Sequence, residues 1–403
     1  MKSKYDFFYF EPYVHINYQD NKALLYNTFT NKQEILDNNI LLKLIQQNIQ
    51  DQTNGFFLHS PIEKEICNKL RKGYFGDIVS IVEGETPPFV LPTEFSKVEK
   101  NKEFLKTAPL RNISENIINC LFELDLYIDN PYQDNDTYNK QFPSVYFPIG
   151  EREKEFSDFL FQIEALGNSS NLNTINIFIS KSNVENFHLL DEFKNKLDNN
   201  KLVLHFNIET AINYKQIDDD LQKLVYYPIS IYSKENKLGK FKSKKVNNLK
   251  FLFIIESEDQ ISVADDIVCK YGIRDYDYKP FFNGNNLDFF EDNVFLDEES
   301  IFSKKINKNQ ILRNREINAI DFGKIIIFND GKYCTNNLLP ILGNIKNDDI
   351  RQMLINCISS KNSTWFLTRN DLPKCKNCIY NQLCPPVSDY EHVIGKFNLC
   401  NIL

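Results

Sequence analysis

Apolar positions in the first hundred residues change period from two to nearly four. "YVHINY" alternates and is rich in β-formers, "QDNK" offers a turn, "ALLYNTF" supplies a second strand, and a short "QEIL" follows. From Asn38 to Ile49, residues Ile40, Leu41, Leu44, Ile45 and Ile49 fall close to helical spacing. Ile62, Ile66 and Leu70 mark a second amphipathic helix ahead of "GDIVSIVE". Strands followed by helices predict a small winged-helix-like α+β module over residues 1–85.

Pro87, Pro88 and Pro92 stand in a polar setting that fits a linker over residues 86–110, since proline removes a ladder donor and restricts its predecessor. From there the pattern alternates between strand and helix. "LFELDLYI", "TINIFIS", "LVLHFNI", "YPISIY", "LKFLFII" and "DYDYKPF" read as strands. Helical stretches lie around Phe156 to Leu166, Glu185 to Leu197, Ile212 to Leu224 and Val263 to Tyr271. Such alternation predicts an α/β fold of parallel strands covered by helices, about six units in a partial (β/α)6 barrel over residues 111–310. In residues 311–403, "KIIIFNDGKYC" reads as a hairpin about an Asn-Asp-Gly turn that ends at Cys334.

A chain of 403 residues is long enough for two or three such units, each able to fold without disulfides. The formal charge of -8 argues against nucleic acid as a partner, because phosphates call for a basic surface. The seven lysines between Ser233 and Lys250 read as a solvated loop. No apolar run approaches a membrane span and the N-terminus lacks a secretory h-region, so the expected setting is cytoplasmic, without a membrane partner. There thiols stay reduced, and clustered cysteines more often bind metal.

That changes how the nine cysteines are read. "CKNCIYNQLC" sets Cys375, Cys378 and Cys384 at a C-x2-C-x5-C spacing, and Cys400 closes the tail. Four thiolates satisfy either a 4Fe–4S cluster or tetrahedral zinc. Cys-x-x-Cys also serves redox work, but a third cysteine and the neighbouring Pro385-Pro386 favour a fixed metal knuckle. Cys67, Cys120, Cys269 and Cys357 sit in apolar stretches and read as small buried hydrophobes. The five histidines are scattered, and His205, within a strand, reads as a core residue. Asp129, Asp134 and Asp136 lack the glycine and glutamate of an EF-hand loop, and no phosphate-cradling glycine loop is present.

The hairpin ending at Cys334, the Gly343-Asn344-Ile345 that follows, and the cysteine knuckle together resemble the SPASM domain of radical SAM peptide maturases. The resemblance covers roughly residues 110–403. The "C-x2-C-I-Y-x2-L-C-P-P-x-S-x-Y-E" knuckle is similar to that of pseudo-radical-SAM/SPASM proteins from ribosomal-peptide systems of Bacteroidales type. It implies one auxiliary 4Fe–4S cluster on Cys375, Cys378, Cys384 and Cys400. An inner cluster would also need Cys334 and cysteines where this chain has Asp348 and Ser388, and is expected to be absent. The C-x3-C-x2-C of a SAM-binding cluster is missing after "LFELDLYI", and "KSNVEN" stands where a SAM-binding glycine loop would be. The implied protein therefore binds no SAM, is non-catalytic, and binds a precursor peptide or a partner maturase. The first module resembles a peptide-recognition element that would take a leader peptide along Gln33 and Ile35 of the "QEIL" edge and the helix face carrying Ile66 and Leu70. The alternatives are an active peptide-modifying enzyme and a structural zinc protein.

Overall fold

The computed structural model describes residues 3–19, 21–37, 39–51, 53–87, 117–129, 160–164, 171–179, 184–197, 201–206, 224–226, 249–336, 338 and 340–402. The first part of the chain is α+β, with more strands than its sequence pattern predicts. Strands β1 (Lys4–Phe10), β2 (Val14–Gln19), β3 (Lys22–Asn27) and β4 (Gln33–Leu36) precede a helix over Asn39–Asp51. Strand β5 (Gly55–Phe57), a helix over Pro61–Lys72 and strand β6 (Gly76–Val82) complete it. Two antiparallel three-stranded sheets result, in the orders β5-β1-β6 and β2-β3-β4. The turn anticipated at "QDNK" is made with Asn21 in the left-handed region, at φ 70°, which asparagine tolerates better than most residues. Ser60, Pro61 and Glu63 start the second helix with a capping box and a proline in its first turn. Phe8, Phe10, Leu25, Leu42, Ile45, Cys67 and Leu70 belong to the core of this unit.

The parallel strands also fall in the predicted order. Strands β7 (Glu123–Tyr127), β8 (Thr174–Ile179), β9 (Leu202–Phe206), β10 (Leu224–Tyr226), β11 (Leu249–Ile255) and β12 (Tyr276–Pro280) lie side by side in sequence order, all parallel. The stretch "YPISIY" lies outside the described residues, and the fourth strand is Leu224–Tyr226 just ahead of it. Beyond β7 the sheet continues through β13 (Lys324–Ile327), β14 (Lys332–Cys334) and β15 (Gly343–Asn344). β13 pairs parallel with β7 and antiparallel with β14, so the expected hairpin forms and also extends the sheet across the anticipated boundary near residue 310. The result is one mixed nine-stranded sheet with β12 and β15 at its ends.

Alternation assigns the two faces. Leu124, Leu126, Ile175, Ile177, Leu204, Ile325 and Ile327 pack with helix residues such as Leu190, Phe193, Met353 and Leu354. Those helices span Val184–Lys196 and Ile350–Ser359, and a further one, Glu258–Tyr271, ends at Gly272 in the left-handed region. Trp365, fully buried, locks the C-terminal part to the sheet by donating its Nε1–H to the Lys324 carbonyl at 3.0 Å. No helix of the described residues is long and apolar enough to cross a membrane.

Candidate metal centre

The knuckle is built of turns rather than ladder. The amide of Cys378 donates to the Cys375 carbonyl at 2.9 Å, that of Asn381 to Cys378 at 3.2 Å, and those of Leu383 and Cys384 to Tyr380 at 2.8 and 3.0 Å. Short turns bring Cys375, Cys378 and Cys384 to one side. The tail returns Cys400 to the same place through a parallel bridge to Leu296: the Leu296 amide donates to Leu399 at 3.0 Å, and the Asn401 amide to Leu296 at 2.9 Å. All four cysteines predicted as ligands line a single cavity, together with Arg369, Asn381 and Asn398. Among the described residues no three His, Cys, Asp or Glu side chains are gathered at single-ion spacing.

Electrostatics decide the state of the thiols. Burial pushes up the pKa of Cys375 and Cys378, and that of Cys384 to about 12. Arg369 opposes the shift at all three, and the thiols themselves oppose one another's ionisation at Cys384. Without a cation these are neutral thiols rather than the low-pKa thiolates of a redox dithiol. A metal centre supplies the missing positive charge and releases their protons on binding. The donor set thus fits an all-sulfur centre.

Arg369 is itself held by its surroundings. It is buried, ion-paired to the fully buried Glu391, and donates from Nε to the Pro385 carbonyl at 2.9 Å and from Nη2 to Pro386 at 3.3 Å. Glu391 also accepts from the amide of Ser388 at 2.7 Å, which caps the helix Asp389–Ile394. The two prolines after Cys384 thus present carbonyls to a buried guanidinium beside the cavity. The knuckle motif includes the prolines and Glu391, but not Arg369, which carries no spacing signal.

The inner-cluster positions have other employment. Cys334 is fully buried with Tyr127, Phe178, Ile326 and Phe328, and burial raises its pKa. Asp348 accepts from the Tyr333 hydroxyl at 2.8 Å, and Ser388 is a helix N-cap. The segment Asn130 to Ser144 lies outside the described residues, and Val184 to Asn186 of "KSNVEN" open a helix.

The face of the sheet turned from the helices carries a row of rings among the described residues. Phe328, just past β13, and Tyr127, Phe178 and His205 on β7, β8 and β9 stack in a row, with neighbouring ring centroids 5.5, 4.5 and 4.3 Å apart. One step back along the strands, Asn176 donates its Nδ2–H to Glu123 at 2.8 Å and to Asp125 at 2.7 Å. His205 Nε2 bonds Asn176 Oδ1 at 3.0 Å, and Lys324 lies 3.3 Å from Asp125. Burial lowers the pKa of His205 to about 3, in keeping with its expected place in the core. Burial and the neighbouring Asp125 raise that of Glu123 to about 7. Apart from His205, the alternating strand pattern predicted none of these polar inward positions.

In the first module, Gln33 and Ile35 lie on β4, an edge strand, with Ile35 38% exposed. Leu70 is buried in the module's own core, and Ile66 packs against it.

No protein-family model and no curated protein matches the chain. Among solved structures, the crystal structure of Streptococcus suis SuiB bound to S-adenosylmethionine is similar over 97% of this chain and 97% of that one, at 13% sequence identity and a TM-score of 0.43. At that identity and score, nothing about ligand or activity carries over from one chain to the other.

Proposed function

We propose that this chain is a non-catalytic relative of the radical SAM/SPASM peptide maturases that carries one 4Fe–4S cluster on Cys375, Cys378, Cys384 and Cys400 and binds a precursor peptide or a partner maturase. The observation that carries this reading is the convergence of those four cysteines, three from the knuckle and one from the tail, on one cavity. A 4Fe–4S cluster is favoured over a single zinc ion by the resemblance of the knuckle spacing to that of the SPASM domain. When bound, the cluster supplies the cationic centre that the buried thiols need. Arg369 moderates the charge of the thiolates, and the tail bridge at Leu296 holds Cys400 in reach.

The non-catalytic part of the reading rests on the absent C-x3-C-x2-C motif and on the stacked rings that occupy the strand ends, where α/β sheets ordinarily bind ligands. Binding rests on the first module, whose β4 leaves a sheet edge to which an extended peptide can add. Anaerobic purification followed by iron, sulfide and zinc assays tests the centre: iron and sulfide in equal amounts are expected, and zinc alone would replace the reading with a structural zinc protein. Titration of the full chain with its precursor peptide tests the partner, and conversion of that peptide by the isolated protein would overturn the non-catalytic assignment.

A further inference from the structure

Strand β3 is buried on both faces. Ala23 and Leu25 enter the core of the first module, whereas Leu24 and Tyr26, 0% and 1% exposed, point the other way into a separate cluster. That second cluster contains Tyr380 and Leu383 of the knuckle, and the ligand cysteines Cys378 and Cys384 pack against it. The contact is polar as well as apolar. Asn17 of β2, 4% exposed, donates its Nδ2–H to the Ile379 carbonyl and to Asn381 Oδ1, both at 2.8 Å. Asn381 is itself buried, lines the cysteine cavity, and passes a further hydrogen bond to Asn370 at 2.7 Å. Tyr26 adds its hydroxyl, which accepts from the Ile306 amide at 3.1 Å.

We infer that the centre held by the four cysteines pins the first module to the C-terminal knuckle, so that gaining or losing the centre changes how firmly the module is held. The inference rests on the proposed metal centre and deepens it by giving it a mechanical partner within the chain. Its physical basis is the knuckle's construction. Between Cys375 and Cys384 there is neither helix nor strand, so a cross-link among sulfurs fixes the loop more than its own hydrogen bonds do. The Ile379 carbonyl and the Asn381 side chain are carried on that loop. If it relaxes, the buried Asn17 amide loses both acceptors, which a buried donor does not tolerate. Coupling of this kind is reciprocal: a module that docks less well should hold the centre less well.

Two measurements on the full chain test this. Hydrogen exchange is compared between protein loaded with iron and sulfide and the same protein stripped by a chelator. Stripping is expected to raise exchange in Cys375–Cys384 and, with it, in Val14–Asn27, while β1 and β6 of the other sheet stay protected. A change confined to the knuckle overturns the coupling. In the second, the rate at which a chelator extracts iron is compared between wild type, Asn17→Ala and the milder Asn17→Ser. Extraction should quicken on the order of tenfold in Asn17→Ala, within the range typical of coupled sites, and less in Asn17→Ser. Lys69→Ala, on an exposed helix face, is expected to match wild type. Equal rates in all four proteins overturn the inference even if the centre is confirmed; folded protein that takes up neither iron nor zinc overturns the centre itself.

Discussion

The cysteine cavity and the sheet face turned from the helices both gather buried polar side chains, and they do so in opposite ways. Around the cavity, three thiols are pushed towards their neutral form by burial and line a shared space. On the sheet face, Asn176 ties Glu123 to Asp125 while Lys324 pairs with Asp125, and a row of rings fills the strand ends. Polar groups that satisfy one another leave little for a ligand to do, whereas uncompensated thiols around a space invite a cation. The difference is one of charge: the cavity's thiols are held neutral by burial, whereas Glu123, Asp125, Asn176 and Lys324 on the sheet face bond to one another.

The largest effect expected is at the knuckle. Cys378→Ser should abolish iron uptake, and because a four-thiolate centre contributes directly to folding, melting of the C-terminal region should fall by about 10 °C or more. Cys334→Ser, on a cysteine packed among Tyr127, Phe178 and Phe328, should cost stability yet leave iron content unchanged. Iron assays and thermal melts on the two variants check the comparison directly. Equal loss of iron in both would break it, because Cys334 would then be a ligand rather than filling.

Next comes the ring stack. Phe178 lies between Tyr127 and His205, so Phe178→Ala should cost about 3–5 kcal/mol, the usual toll for truncating a buried aromatic. Neither wild type nor this variant should form 5′-deoxyadenosine when reconstituted with SAM and a reductant. Product above a no-protein control would mean that the chain does radical chemistry and would overturn the non-catalytic reading.

The polar network yields a pH signature. Glu123, whose neighbours are Asp125, Asn176 and Lys324, has a pKa raised to about 7 by burial and by Asp125. A carboxyl raised in the folded state binds its proton more tightly there, so its contribution is fully present below about pH 4.5 and is lost as pH rises through about 7. Asp321, also buried and raised to about 7, acts in the same direction. His205, lowered to about 3, acts oppositely, costing stability as pH falls below 6.5. Glu123→Gln removes only the first contribution and keeps an acceptor for Asn176. Relative to wild type the variant should gain up to about 3 kcal/mol between pH 5 and pH 8. Denaturant melts at both values decide, and a difference that does not change with pH would mean that Glu123 is ionised throughout.

Much of this was legible in the residues, and the gaps have physical reasons. Local period located the strands and helices, because alternation and capping are written within a few positions, as in Ser60, Pro61 and Glu63. Cysteine spacing singled out the four residues that line one cavity, because thiols meant for one point must be able to reach it. Glu391 stands in the knuckle motif, but its partner Arg369 is not legible there, since a buried ion pair has no period and its members come together only in the folded chain. The same holds for Asn176 and Glu123, which look like ordinary polar positions in a half-exposed strand. One signal was available and underread: "ALLY" in β3 is apolar without alternation, the mark of a strand covered on both faces, and the second cover is the knuckle.

The smallest effect belongs to the edge strand of the first module, where an open surface adjoins a closed core. Of the residues assigned to peptide capture, Leu70 sits inside the module and Ile35 remains partly exposed on β4. A peptide added beside β4 would draw its affinity mainly from main-chain bonds, with a side chain such as Ile35 contributing about 1 kcal/mol of selectivity. Ile35→Ser should therefore weaken leader-peptide binding about fivefold and leave the melting temperature within the small range of surface substitutions. Leu70→Ala should do the reverse to stability, at about 2–5 kcal/mol, because it leaves a cavity under the sheets. Fluorescence anisotropy with a labelled leader, and a melt on each variant, separate the two. If Leu70→Ala weakens binding while Ile35→Ser does not, capture depends on the helix face opening away from the core, and the edge strand is not the docking line.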